Sequence, residues 1–186
     1  TLDYTISSPL YGVDRLPDED KLYPHRNDQG WYNFCDSSWG DSKLPQLERK
    51  SQQGILVLRN GTCAVQWASK VQSSGYAHVK LAEGHTARSS AEAELFALAS
   101  MTDVLLHLSY ITEELGQKSI PLPMVARTDS QTVIRMLDSE RSGFSKLRHI
   151  DMRNFWLKQC KNADLFKPVH CPGQYQLADT FTKCID

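Results

Sequence analysis

The chain has 186 residues, of which 21 are Lys or Arg and 22 are Asp or Glu, so its formal net charge is −1. This length predicts one domain, or one domain plus an extension. The near-zero charge excludes a protein that binds nucleic acid through a large overall positive charge. We expect no membrane partner, because no apolar run reaches the ~18 residues that a membrane-spanning helix needs.

The five cysteines are widely spaced and form no C-x-x-C pair. This pattern is typical of reduced thiols in an intracellular protein rather than of a disulfide framework. The chain offers one alternative, a zinc site, whose four ligands would be Cys160, His170, Cys171 and Cys184. Their spacing lacks the ligand pairs of such sites, which favours buried structural thiols.

The first half of the chain predicts a linker followed by three strands. Residues 1–30 are rich in Pro, Asp and Gly and indicate an irregular lead-in. An aromatic run at 31–35 predicts the first strand, and the apolar run 54–58 predicts the second. The pair Asn60-Gly61 is a strong hairpin signal, so we expect the third strand at 62–68. Residues 71–88 give no clear pattern.

The second half predicts helices that alternate with strands. Ser89 and Glu92 form a capping box, which predicts that a long helix begins there. Gly116 suits its end. Apolar residues follow at helical spacing: Leu98, Met101, Leu105, Leu108 and Leu115. The remaining predicted elements are a strand at 124–128, helices at 131–137 and 147–157, a strand at 165–169 and a helix at 176–184. This order predicts an α/β protein with a mixed sheet covered by helices.

Four carboxylates lie where such a sheet would bring them together: Asp36, Glu94, Asp129 and Asp179. Asp36 and Asp129 end predicted strands, and sites in α/β sheets gather at that edge. Carboxylates that converge there must either remain protonated or bind divalent cations. Oxygen ligands favour Mg²⁺ or Mn²⁺. The alternative is structural, with Asp129 as a helix N-cap and Asp36 in a turn.

Six segments strengthen the interpretation as a metal site. In chain order they are CDSSWGD, ERKSQQG, SSAEAEL, TDSQT, LRHIDMR and QLADTFTK. Together they resemble the ribonuclease H domain of copia-type LTR retrotransposon polyproteins, over about residues 31–184. The most specific of the six are SSAEAEL and QLADTFTK.

This resemblance implies a ribonuclease H-like fold, with a five-stranded mixed sheet flanked by helices. It also implies an endonuclease that hydrolyses the RNA strand of RNA–DNA hybrids during reverse transcription. Two Mg²⁺ ions, which Mn²⁺ could replace, would be held by the four carboxylates, with Asp36 bridging both and a water as nucleophile. By motif, Glu94 rather than Glu92 is the matching glutamate.

The resemblance also implies a context. Residues 1–30 would connect the chain to a reverse transcriptase domain of the same polyprotein. Residues 31–186 would form the ribonuclease H-like domain, with an insertion at 71–88. The protein would then work in the cytoplasm inside virus-like particles, or in the nucleus.

Further residues are candidates for supporting roles. His170 is a candidate catalytic residue, because related ribonucleases H carry a mobile His nearby. Candidate substrate-binding residues are Ser37, Ser130, Gln131, Arg148 and Lys183. A basic cluster could bind phosphates: Arg141, Lys146, Arg148, His149 and Arg153. Trp39 is expected to pack in the core, with contact to nucleic acid as the alternative.

Two other functions fit parts of the pattern. An integrase-like DNA transferase shares the fold, but its acids run Asp, Asp, Glu, whereas Glu94 comes second here. A domesticated, non-catalytic module that binds nucleic acid or protein is the second alternative. The presence of all four carboxylates argues against it.

Overall fold

A five-stranded mixed sheet forms the centre of the protein. The computed structural model describes residues 30–39, 51–61, 63–72, 87, 89–117, 120–139 and 148–183. The strands are β1 (Trp31–Ser38), β2 (Gln52–Arg59), β3 (Cys63–Val71), β4 (Met124–Thr128) and β5 (Phe166–His170). Their order across the sheet is β3-β2-β1-β4-β5. The predicted five-stranded mixed sheet is confirmed.

The strand directions divide the sheet into two parts. The pairs β1–β2 and β2–β3 are antiparallel, whereas β1–β4 and β4–β5 are parallel. Asn60 and Gly61 both have positive φ, 55° and 74°, as the predicted hairpin turn requires. β3 extends to Val71, three residues beyond the predicted strand end at Ala68. Because β1 and β4 run parallel, the carboxyl ends of these two strands lie at the same end of the sheet.

In the part of the chain that the structure describes, three α-helices accompany the sheet: α1 (Ser90–Glu114), α2 (Gln131–Asp138) and α3 (Arg148–Asn162). The Ser89 side chain accepts a hydrogen bond from the Glu92 backbone N–H at 3.2 Å, which confirms the predicted N-cap. After the helix, Gly116 has φ 63°, and its N–H bonds the Glu113 carbonyl. The helix therefore ends where the glycine predicts.

α1 carries the main core. Leu95, Leu98, Met101 and Leu105 are fully buried, while Leu115 is 68% exposed, so the predicted apolar stripe does not extend that far. With 25 residues and a mean hydropathy of 1.4 over its most apolar 18-residue window, α1 could cross a membrane by length and composition alone. Its buried leucines and Met101 instead pack into the main core cluster, as in the central helix of a globular domain.

The predicted last helix at 176–184 is wrong. Its described part consists of a 3₁₀ helix at Leu177–Phe181, preceded by another at Gly173–Tyr175. Backbone bonds three residues apart tighten this segment, including Asp179 N–H to the Gln176 carbonyl. The segment packs on the sheet face opposite α1, in a second core cluster with Phe34 and Leu56. The predicted extension at 1–30, except Gly30, and most of 71–88 lie outside the described residues.

Candidate metal-binding active site

Three carboxylates meet at the end of the sheet where the carboxyl ends of β1 and β4 lie. Asp36 near the end of β1, Glu94 in the second turn of α1 and Asp129 after β4 each offer an oxygen, and these oxygens lie within 4.8 Å of one another. We call these three residues the carboxylate triad. The register explains the approach of the two aspartates, because Phe34 pairs with Arg127 across the parallel strands and each aspartate follows two residues later. Among the described residues, this is the one such group of potential metal ligands.

The triad draws on both faces of the sheet. Successive side chains of a strand point to opposite faces, so Asp36 and Ser37 lie on different sides of β1. The Ser37 hydroxyl donates a 2.8 Å hydrogen bond to Glu94 Oε1, on the α1 side. Asp36 Oδ2 accepts a 2.6 Å hydrogen bond from the Thr182 hydroxyl, on the side of the 3₁₀ helices. Each of these two acids therefore has its own hydroxyl donor.

Glu94 is the most strongly perturbed acid of the triad. Burial raises its pKa to about 8, and the charges of Asp36 and Asp129 add to this, against the opposing hydrogen bond from Ser37. Its second oxygen, Oε2, is buried and has no hydrogen-bond partner among the described residues. A buried carboxylate oxygen without a partner is costly, so the ionised form of Glu94 requires a positive charge close by.

The two aspartates show the same conflict between burial and charge. Burial raises the pKa of Asp36, with further increases from Asp129 and Asp179 that oppose the lowering by Thr182. Burial and Asp179 likewise raise the pKa of Asp129, against lowering by its backbone hydrogen bond, His170 and Lys183. Burial and the neighbouring acids also raise the pKa of the Cys35 thiol. Negative charge is therefore unfavourable throughout this site.

These observations fit a divalent cation. The three ligands are carboxylate oxygens, the donors that Mg²⁺ and Mn²⁺ prefer. A cation would neutralise the mutual repulsion of the acids and provide the missing partner for Glu94 Oε2. Asp129 is not the N-cap of α2, since the Ser130 hydroxyl takes that role by accepting from the Val133 N–H at 3.4 Å. The structural alternative for Asp129 is therefore wrong.

Asp179 is not part of the triad. Its Oδ2 forms a 2.5 Å ion pair with Lys183 Nζ, one turn later in the chain. Its charge still reaches the site, because it raises the pKa of both Asp36 and Asp129. The structure thus brings three of the four predicted metal ligands together, with the fourth paired to a lysine beside them.

Replacing Lys183 by Met is expected to strengthen Mn²⁺ binding. The substitution removes a positive charge near the triad and frees Asp179 from its ion pair. Since exposed pairs are typically worth about 0.2–1 kcal/mol, we expect affinity to rise about 1.4- to fivefold in calorimetric titrations. Lys161→Met is the matched control, because Lys161 forms a similar exposed pair with Asp138. Unchanged or weaker Mn²⁺ binding in Lys183→Met would contradict this prediction.

The remaining candidate residues make different contacts around the carboxylate triad. His170 is exposed at the end of β5, where its charge lowers the pKa of Asp129. Ser37 and Ser130 are engaged with Glu94 and with the start of α2, respectively. The exposed Gln131 contacts Arg135 one turn along α2. Binding of substrate by these residues stays a prediction.

The predicted basic cluster is only partly described. Arg148 lies at the start of α3, but its side chain and that of His149 lie outside the described residues, as do Arg141 and Lys146. The Arg153 guanidinium lies 4.0 Å from the centre of the Phe96 ring. Trp39 is 51% exposed, and its ring N–H donates to the Ala87 carbonyl at 2.6 Å. The expected core position of Trp39 is therefore wrong.

Sequence reasoning missed two residues that shape the site. Thr182 bonds Asp36, and Gly54 is the residue that faces Asp36 across β1 and β2. Both lie inside segments already noted, QLADTFTK and ERKSQQG. For Thr182, the signal in the sequence was its position three residues after the predicted metal ligand Asp179.

No protein-family model matches the sequence. LC11-RNase H1, isolated from compost and solved in complex with RNA/DNA hybrid, is 15% identical, with 81% of this chain and 92% of that chain covered and a TM-score of 0.53. The RNase H domain of prototype foamy virus is 17% identical, with coverages of 82% and 92% and a TM-score of 0.53.

A longer viral protein is also structurally similar to this chain. Foamy viral protease-reverse transcriptase in complex with RNA/DNA hybrid is 17% identical, with 98% of this chain but 23% of that chain covered and a TM-score of 0.52. The structural neighbours thus include a ribonuclease H1 and the RNase H domain of a foamy virus. The chain has the ribonuclease H-like fold.

Proposed function

We propose that this protein is a ribonuclease H, a metal-dependent endonuclease that hydrolyses the RNA strand of RNA–DNA hybrids. The observation that supports it most is the carboxylate triad, three acids within 4.8 Å at one end of a ribonuclease H-like sheet. Two of the structural neighbours were solved with RNA/DNA hybrid, which supports the same substrate class here.

Different residues of the chain would have different roles in the proposed reaction. Asp36, Glu94 and Asp129 would hold the cation, and Ser37 fixes Glu94 through its 2.8 Å hydrogen bond. A bound divalent cation supplies positive charge that activates water and stabilises the developing charge on the phosphodiester. His170, exposed beside Asp129, would exchange protons with the reacting groups as a general acid or base.

The finer parts of the proposal rest on the sequence motifs. We propose Mg²⁺ as the natural ion, in a two-ion site to which Asp179 would contribute a fourth carboxylate. We also propose that the chain comes from a copia-type retrotransposon polyprotein and acts beside its reverse transcriptase, in cytoplasmic virus-like particles or in the nucleus. The order of acids, with Glu94 second, supports ribonuclease H rather than an integrase-like transferase.

Asp129→Asn tests the activity. With Mg²⁺ and a labelled RNA–DNA hybrid, the wild-type chain is expected to cut the RNA strand and leave 5′-phosphate and 3′-hydroxyl ends. Asp129→Asn removes one ligand charge at almost constant size, and we expect no cleavage above background. Asp138→Asn, at the end of α2 and outside the triad, is the matched control and should cleave like wild type.

The alternatives predict different results in the same assay. A non-catalytic module would bind the hybrid but leave it intact, and it would give no Mg²⁺-dependent heat at the triad. Cleavage of duplex DNA in preference to the hybrid would contradict the proposed substrate. Equal cleavage by wild type and Asp129→Asn would contradict the proposed site.

A further inference from the structure

Thr182 is a buried polar residue in direct contact with the triad. It is 5% exposed, and its hydroxyl lies 2.6 Å from Asp36 Oδ2 and 3.0 Å from the Asp179 carbonyl oxygen. A hydroxyl has one proton to donate. The Asp179 carbonyl already accepts from the Thr182 and Lys183 backbone N–H groups. The proton therefore goes to Asp36, where the carboxylate makes the shorter and stronger bond.

The 3₁₀ helix Leu177–Phe181, which Thr182 directly follows, can approach Asp36 because residue 54 is glycine. Gly54 pairs with Asp36 across β1 and β2. A Cβ atom at Gly54 would lie 2.5 Å from the Ala178 carbonyl oxygen and 3.1 Å from Thr182 Cγ2. Any larger residue would therefore push the backbone of the 3₁₀ helix away from the strand.

Hydrogen bonds fasten the same segment to three strands of the sheet. Gln176 Nε2 donates to the Cys35 carbonyl at 3.0 Å, next to Asp36. At the other end, the Phe181 carbonyl accepts from Gln52 Nε2 at 3.1 Å and from the Ser69 hydroxyl at 2.6 Å. Thr182 therefore belongs to a fixed segment, so its hydroxyl has a defined position relative to Asp36.

We propose that Thr182 is a positioning residue for metal binding, which holds Asp36 through Oδ2 so that its carboxylate is presented to the cation site in a fixed orientation. This inference rests on the proposed function, because it assigns a role toward the same cation. Thr182 orders one ligand before the cation arrives, and the cation then meets a side chain whose rotamer is already set. Residues that orient metal ligands in this way typically contribute 10- to 100-fold to affinity.

Isothermal titration with Mn²⁺, in the absence of nucleic acid, tests the proposal. Thr182→Val keeps the shape of the side chain but removes the hydroxyl, and we expect its Mn²⁺ affinity to fall about 10- to 100-fold. Thr182→Ser keeps the hydroxyl and should bind Mn²⁺ nearly as well as wild type. The matched control is Thr180→Val, in the 3₁₀ helix that precedes Thr182, where the exposed hydroxyl bonds only the Leu177 carbonyl in the described structure. It should bind Mn²⁺ like wild type.

The outcomes separate this inference from the proposed function. Wild-type affinity in Thr182→Val, or an equal loss in Thr182→Ser, would overturn the role of Thr182 while the metal site stands. Thermal unfolding without Mn²⁺ checks that each variant is folded at the titration temperature, and a loss of stability with unchanged Mn²⁺ affinity would also overturn it. A wild-type chain that binds no Mn²⁺ would overturn both proposals.

Discussion

Replacing Glu94 by Gln is expected to abolish cleavage of RNA–DNA hybrids and at the same time to stabilise the metal-free protein at alkaline pH. Gln has nearly the same shape and can still accept the hydrogen bond from Ser37. It has no charge to offer a cation, so activity should fall by more than the roughly 10- to 100-fold typical of residues that merely orient a ligand.

The expected gain in stability follows from the pKa of Glu94. Its pKa is about 8 in the folded protein, against an ordinary value of 4.5. Folding therefore favours the protonated acid. The contribution of Glu94 to stability is complete below about pH 4.5 and is lost as the pH rises through about 8. Each unit of pKa difference corresponds to about 1.4 kcal/mol, so the ionised acid costs on the order of a few kcal/mol.

Thermal unfolding in a chelator, at pH 5 and pH 9, measures this effect. We expect wild type and Glu94→Gln to unfold at similar temperatures at pH 5, where Glu94 is still protonated in the folded state. At pH 9 the variant should unfold about 5 °C or more above wild type. Glu113→Gln, at an exposed position of the same helix, should match wild type at both pH values. If the variant were less stable than wild type at pH 9, the ionised Glu94 carboxylate would not destabilise the folded protein, which would contradict this prediction.

Replacing Leu98 by Ala is expected to cost about 2–5 kcal/mol of unfolding free energy. Leu98 is fully buried in the main core cluster, one turn after Glu94 on α1. Truncation removes apolar contacts and leaves a cavity between the helix and its neighbours. Because α1 also carries Glu94, the same loss of packing is expected to reduce metal affinity.

Urea unfolding of paired variants tests the core. Leu115→Ala makes the same chemical change at a residue that is 68% exposed, and it should alter stability by no more than about 0.5 kcal/mol. For a chain of this size, the loss in Leu98→Ala corresponds to roughly 5–20 °C in melting temperature. Equal effects of the two substitutions would contradict the assignment of the buried face of α1.

Local rules predicted most of the elements correctly. The Asn60-Gly61 turn, the Ser89 N-cap and the Gly116 stop each depend on a few adjacent residues, and each lies where the sequence indicates. Leu98, Met101 and Leu105 are buried as their spacing predicts. The final helix and the core position of Trp39 failed, because long-range contacts with the sheet and with Ala87 override local preference in these segments.

The sequence by itself determined the sheet-and-helix order, the long core helix and the carboxylates to consider. Periodicity and capping are short-range properties, so they can be read from neighbouring residues. The tertiary structure decided that Asp36, Glu94 and Asp129 share one site while Asp179 pairs with Lys183. It also decided that Thr182 reaches Asp36 over Gly54. The contacts of Asp36 with Glu94, Asp129 and Thr182 join residues more than 50 positions apart. Their distances depend on strand register and close packing, which no local pattern encodes.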